Sequence, residues 1–369
     1  MIDATGEAGC IRLPATGPAG AEYMIAAVSG ATTGVSGSYT YVGLASPAAA
    51  PPVTASPLVS GQAGERITAA GAFHDMLRRR EADLAVRPEL RMAPPVGRAV
   101  SAPPLGDVRT FKVCQTSSCN SFVDVTATAK FVGPKGAIYL DNTVPGGGYT
   151  QADLDQIGAL FDGPEPNMYG IDTTAFGRES DLDGNGVVII LLSDQVNRLS
   201  GTCSDGTIVL GYFFGLDLTT DPNSNQGEIF YGLVPDPGNE DCTASRSFAL
   251  LRLPPIFIHE FQHMISFNQH SLVRSGPPEQ LWLNEGLSHF AEELGGRLLP
   301  DARCPQASSC LSQFVGSGNL QNAFTYLSNI EDNFLVTTSG IGSLGERGAG
   351  WLFVRWLADQ FATDTILGT

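Results

Sequence analysis

Between Ile256 and Leu272 the chain reads IFIHEFQHMISFNQHSL, an apolar stretch carrying two histidines four residues apart and a glutamate directly after the first. Residues at i and i+4 of a helix project from one face one turn apart, so both imidazoles can reach a single point. The run predicts a buried helix from Ile256 to about Leu272. Pro254 and Pro255 suit its start, where their missing N–H groups would be unpaired anyway. The 369 residues include only five histidines, at 74, 259, 263, 270 and 289, and four of them fall in this segment and the thirty residues after it. Zinc takes neutral histidine nitrogens at about 2.0–2.1 Å, so His259 and His263 can supply two ligands. Glu260 can reach a water acidified by such an ion and take its proton. The competing reading is a helix whose histidines only pack or cap. Against it, a chance HExxH is expected on the order of once in several hundred chains this poor in histidine.

A catalytic zinc site usually has three protein ligands and one open position. The next helical segment, EQLWLNEGLSHFAEELGG, offers Glu285, 22 residues after His263. Leu281, Trp282, Leu283 and Leu287 surround it in sequence. A carboxylate in so apolar a setting needs a partner, and a metal ion provides one. Taken alone, Glu285 also reads as a surface acid on an amphipathic helix.

HEFQH followed by LWLNEG resembles the gluzincin metallopeptidases. The WLNEG string is similar to that of the aminopeptidase branch, and the stretch from FGRESDLDGNG onward looks closer to secreted bacterial neutral proteases of the hyicolysin type. The resemblance covers roughly residues 107–369. It implies a zincin-like catalytic domain in which His259, His263 and Glu285 ligate zinc and Glu260 is the base. A longer gap before Glu285 than in the aminopeptidases, and no GxMEN-type loop upstream, favour an endopeptidase over a zinc aminopeptidase. Where thermolysin-like relatives brace a zinc histidine with aspartate, this chain has His289, so Glu292 or Glu293 is expected to take that role. A donor opposite the zinc should stabilise the oxyanion. His289 and Tyr326 are candidates, His270 is a weaker one, and a donor beyond Thr369 is a further option.

A second cation site is suggested by ESDLDGNGVVII. Asp181, Asp183 and Asn185 alternate and Gly186 follows, as in loops that wrap calcium with oxygen ligands. Leu192 stands where an EF-hand has its bidentate glutamate, so a short calcium loop and a plain acidic turn both remain open.

The remaining pattern predicts an α+β protein. DVRTFKVC, SFVDVTATAKFVG and GAIYLDN read as strands, GVVIILLS as a central strand, and TIVLGYFFGLDL and GEIFYGLV as the rest of a mixed sheet. YTQADLDQIGALFDG reads as a helix capped by Thr150 with Asp153 three residues on. From about residue 249 the pattern is helical. Expected units are an N-terminal β-rich domain or arm (1–60), a helix and Pro-rich linker resembling a propeptide (61–105), a β-rich subdomain (106–248) and a helical zinc-binding subdomain (249–369). His74, in the second unit, reads as an ordinary surface histidine.

Seven cysteines allow the pairs Cys114–Cys119, Cys203–Cys242 and Cys304–Cys310, with Cys10 left over. Such pairing points to an oxidising compartment and secretion. A net charge of −17 argues against nucleic acid and anionic membranes as partners. No run approaches the roughly 18 apolar residues of a membrane span. Both ends look trimmed, as in a fragment of a longer precursor without its signal peptide. The expected function is a secreted zinc endopeptidase acting on protein or peptide substrates, with GEIFY as an edge strand that aligns them. The alternative is a non-catalytic extracellular binding or adhesion module on the same scaffold.

Overall fold

A computed structural model of the chain describes residues 68–92, 101–203, 206–239, 242–316, 318–337 and 340–362. The arm expected over 1–60 lies outside them. Within them the protein is a mixed α+β structure: one six-stranded sheet, then a set of helices.

A first helix, α1 (Ala69–Ala85), precedes the sheet; the Thr68 side chain caps it by accepting from Gly71 N. The strands β1 (Val108–Cys114), β2 (Phe122–Val132) and β3 (Gly136–Asp141) form an antiparallel meander. A crossover through helices α2 (Gln151–Asp162) and α3 (Met168–Phe176) then returns the chain to β4 (Val188–Leu192), parallel to β3. Every residue of β4 is buried, as expected of a strand covered on both faces. Thr150 and Asp153 form the capping box of α2, exchanging bonds as the sequence predicts.

The short helix α4 (Asp194–Arg198) leads toward β5 (Gly211–Phe213) and β6 (Ile229–Gly232). The strand order is β1-β2-β3-β4-β6-β5. GEIFY is therefore not the edge. Its strand, β6, is parallel to β4 on one side and antiparallel to β5 on the other, and β5 is the edge. Three disulfides join Cys114–Cys119, Cys203–Cys242 and Cys304–Cys310.

The long helix α5 (Arg246–Phe267) packs Phe257 and Phe261 against the sheet and α2, where Phe230 and Phe161 meet them at ring-centroid distances of 5.2 and 5.3 Å. Contrary to the sequence expectation, α5 does not begin at the prolines. It begins eight residues earlier, capped by Ser245, and carries Pro254 and Pro255 inside it. A proline inside a helix lacks the N–H that would bond four residues back, which here orphans the carbonyls of Leu250 and Leu251. The buried Gln313 repairs the gap: its Nε2 donates to Leu250 O at 3.1 Å and to Leu251 O at 3.0 Å. Gln313 lies on α7 (Cys310–Val315), about sixty residues along the chain, so no local pattern around the prolines shows that the helix can run through them.

After α5 the chain makes a π turn at Asn268–Val273 and enters α6 (Leu281–Leu298). Helix α9 (Leu344–Phe361) then packs on α6, and α8 (Asn319–Ser328) packs on α9. Gly286 and Gly350 let α6 and α9 approach closely: a Cβ on Gly286 would lie 3.0 Å from the Gly350 carbonyl. That close approach brings the start of α9 to the neighbour of Glu285. Among the described residues no helix is long and apolar enough to cross a membrane.

Candidate metal centre

Successive turns of α5 present His259 and His263, and α6, packed beside it, presents Glu285. Their ligand-bearing atoms converge. The two Nε2 atoms lie 3.1 Å apart, and Glu285 Oε2 and Oε1 lie 3.8 Å from His259 Nε2 and 3.6 Å from His263 Nε2. All three side chains are buried. Ligand atoms around a tetrahedral ion with bonds of about 2.0–2.1 Å are separated by roughly 3.3 Å, so these spacings fit a small divalent cation. Glu285 Oε1 has no hydrogen-bond partner, and a carboxylate oxygen held in an apolar interior is expected to have one. Two imidazoles and a carboxylate with an unused oxygen form a donor set suited to a metal ion.

The other side of each imidazole is anchored. Glu292 Oε1 lies 2.7 Å from His259 Nδ1 and 3.0 Å from His289 Nδ1. Ser288 Oγ sits 3.0 Å from His263 Nδ1 and donates to Gln262 Oε1. Such contacts fix which ring nitrogen faces inward. Of the two acids considered for this bracing, Glu292 occupies the position. Glu293 is engaged elsewhere, accepting from Trp351 Nε1 and Arg297 Nε.

Electrostatics set the charge states. Burial opposes ionisation of Glu285, but Arg347, with Nη1 3.9 Å away, and the neighbouring histidines outweigh it and bring the carboxyl down to about 2. Burial pushes the imidazole of His263 well below its ordinary range, and Arg78 and His259 add to that effect. It is thus held as the neutral ligand form. Glu260, one residue from the first imidazole, is 1% exposed and accepts from Phe213 N at 2.8 Å. Burial raises its pKa, against the pull of His259 and Arg78.

The other sequence candidates lie as follows. His289 stacks edge-on to His259 with centroids 4.9 Å apart, and its Nε2 is buried and unpartnered. Tyr326 is fully buried in a separate apolar cluster with Leu335 and Ala349. His270 pairs with Glu279 at 3.1 Å.

At the second site Asp181 and Asp183 converge, joined by Glu228: one oxygen from each lies within 4.8 Å of the others. The Asn185 amide is turned toward its own loop, with Nδ2 donating to Asp183 and Oδ1 accepting from Val187 N. Glu228, just before β6, is buried; its Oε1 accepts from Ser180 Oγ and Leu182 N while Oε2 is unpartnered. Lying 45 residues beyond Asp183, it was invisible to any local loop pattern.

His74 is likewise not the surface residue expected. It is half-buried on α1, and burial lowers its pKa to about 3 even though Glu285, the largest influence after burial, pulls the other way. The apolar positions of α1 hinted at a buried face, but not at what that face would meet. Compared with models of known protein families and with curated proteins, the chain matches none.

Proposed function

We propose that this protein is a secreted zinc-dependent endopeptidase of gluzincin type with a zincin-like catalytic domain. The observation that carries this reading is the convergence of His259, His263 and Glu285 from two packed helices, with Glu260 beside them. Two imidazole nitrogens and one carboxylate suit zinc better than the hard cations that take all-oxygen sites. When bound, the ion supplies Lewis acidity that polarises a carbonyl and acidifies water. The chain's residues do the rest. Burial holds His263 neutral, the carboxylates around His259 raise its pKa against the effect of burial, Glu292 and Ser288 orient the two rings, and Arg347 keeps Glu285 ionised. Glu260, with its raised pKa, is matched to take a proton from water and pass it to the leaving amine. His289, whose buried Nε2 has no partner, is the candidate for stabilising the oxyanion. Secretion is supported by the three disulfides.

The test is elemental analysis of the purified chain together with casein cleavage, using Glu260→Gln as control. One equivalent of zinc, with cleavage lost and zinc kept in Glu260→Gln, is the expected result. Zinc bound with no cleavage by any form would assign a non-catalytic binding module instead.

We also propose that Asp181, Asp183 and Glu228 hold calcium, which bonds carboxylate oxygens. Its function would be to tie the 180s loop to the start of β6, behind the zinc centre. Calcium should raise the melting temperature of the zinc-loaded chain and leave that of Glu228→Gln unchanged; equal shifts in both would dismiss the site.

A further inference from the structure

Helix α7 has six residues, too few to hold a helix unaided in water, yet it touches both helices that carry the metal ligands. On α5 it reaches the carbonyls of Leu250 and Leu251 through Gln313 Nε2, about two turns ahead of His259. On α6 it rests against two glycines. A Cβ on Gly295 would lie 2.9 Å from the Phe314 ring and 3.1 Å from Ile258 Cδ1, and one on Gly296 would lie 3.1 Å from Leu311 Cα. Phe314 and Ile258, the residue before His259, thus flank the same point of α6. That point is one turn beyond Glu292, the carboxylate that meets the His259 ring.

A covalent bond keeps α7 there. Cys310, its first residue, is joined to Cys304, which ends the short turn Asp301–Arg303 that follows α6. Asp301 in that turn accepts from Cys310 N at 2.8 Å, and Ser309 caps α7 by accepting from Ser312 N at 3.0 Å. The disulfide removes open arrangements that so short a segment would otherwise sample. Cys304 and Cys310 are buried, but Pro305, Gln306 and Ser308 between them are exposed. A recess of about 630 Å³, lined by Leu298, Pro300, Asp301, Ser309 and Leu311 among others, lies against the same turn.

We propose that α7 is a wedge that positions the metal-binding helices through Gln313, and that opening the Cys304–Cys310 bond with a small thiol weakens zinc binding. The effect on zinc rests on the metal reading above; the wedge itself does not. Opening the bond consumes two thiol molecules. The first attacks one sulfur and forms a mixed disulfide, while the other cysteine leaves as a thiolate and takes up the proton that the attacker lost. The second thiol attacks the mixed disulfide. It releases the two reagents joined as their own disulfide and leaves the remaining cysteine as a thiol.

The experiment measures zinc affinity of the full chain by competition with a chromogenic chelator. Cys304→Ser with Cys310→Ser should bind zinc about tenfold more weakly, as expected when the support of a ligand is loosened. Cys114→Ser with Cys119→Ser, which opens the bond between β1 and β2, should stay within about twofold. Adding Pro254→Ala and Pro255→Ala to the first variant returns the N–H groups that Leu250 O and Leu251 O lack, so most of the loss should be recovered. In the wild-type chain, reduced glutathione followed by iodoacetamide, with both then removed, should lower affinity in step with labelling of Cys304 and Cys310. If thermal melting shows that the serine variant is not folded, Gln313→Leu replaces it, with the same expected loss and recovery. Unchanged affinity, an equal loss in the control pair, no recovery with the alanines, or labelling of Cys304 and Cys310 without loss each overturns the proposal. A wild-type chain that binds no zinc removes the metal reading, and hydrogen exchange then decides on the wedge. Faster exchange at residues 256–263 in the serine variant keeps it; equal exchange removes it.

Discussion

Two buried glutamates, Glu285 and Glu228, lie in the same interior with opposite acidities. Glu285 faces Arg347 and the imidazoles of the metal centre and falls to about 2, although burial opposes this. Burial lifts Glu228 to about 7; two donated hydrogen bonds pull the other way, and the Asp183 carboxylate opposite adds to the rise. Burial alone thus does not decide the charge of a carboxyl. The sign of its neighbours decides whether it waits as an anion or holds a proton. The first environment is built before an ion arrives. The second would be completed by a cation.

The strongest way to break this contrast is to remove the carboxylate of Glu285. Glu285→Gln should lower zinc affinity on the order of a thousandfold and abolish casein cleavage, because one of three ligands is lost. Competition with a chromogenic chelator measures it. Near-normal affinity would show that Glu285 is not a ligand.

A smaller effect is expected one layer out. Glu292→Gln leaves all three ligands in place but loosens His259, so zinc affinity should fall about 10–100-fold. Glu293→Gln, on the same helix but turned toward Trp351 and Arg355, should leave it within about twofold.

The contrast also has a pH signature. The pKa of Glu228 is raised on folding, so the folded chain binds this proton more tightly than the unfolded chain does. Without calcium, its contribution to stability is intact below the ordinary glutamate range and is lost as pH rises toward and past about 7. Glu228→Gln should therefore be the more stable form at pH 8 by on the order of 2–3 kcal/mol, with the difference shrinking toward pH 5. Urea unfolding at the two pH values measures this, and a pH-independent difference would contradict it.

The smallest effect is structural. Gln313→Leu should destabilise the chain by about 1–3 kcal/mol by stranding two buried carbonyls. Denaturant midpoints at pH 8 measure this too, and a change within error would show that those carbonyls find other partners.

What could be read in the sequence was local. The strands β1 to β4 announce themselves by alternation or by a continuous apolar run, Thr150 and Asp153 by their capping spacing, and His259, Glu260 and His263 by the helical period. The cysteine pairs followed from short loops and elimination. What could not be read depends on residues far apart in the chain. β5 is three residues long, and its place outside β6 follows from strand order, which no single segment encodes. Glu228 joins the 180s loop only because β6 starts beside β4. His74 was misjudged because the identity of the surface that buries α1 lies in β5 and the approach to α9.

The bond from Gln313 to the two orphaned carbonyls has a consequence for how the chain is made. During synthesis the HEFQH segment leaves the ribosome some fifty residues before Gln313 does. Until that glutamine is in place, the turn of α5 just ahead of the histidines has two carbonyls with nothing to bond to but water. A nascent chain that stops short of residue 313 carries the complete motif on a weakened support.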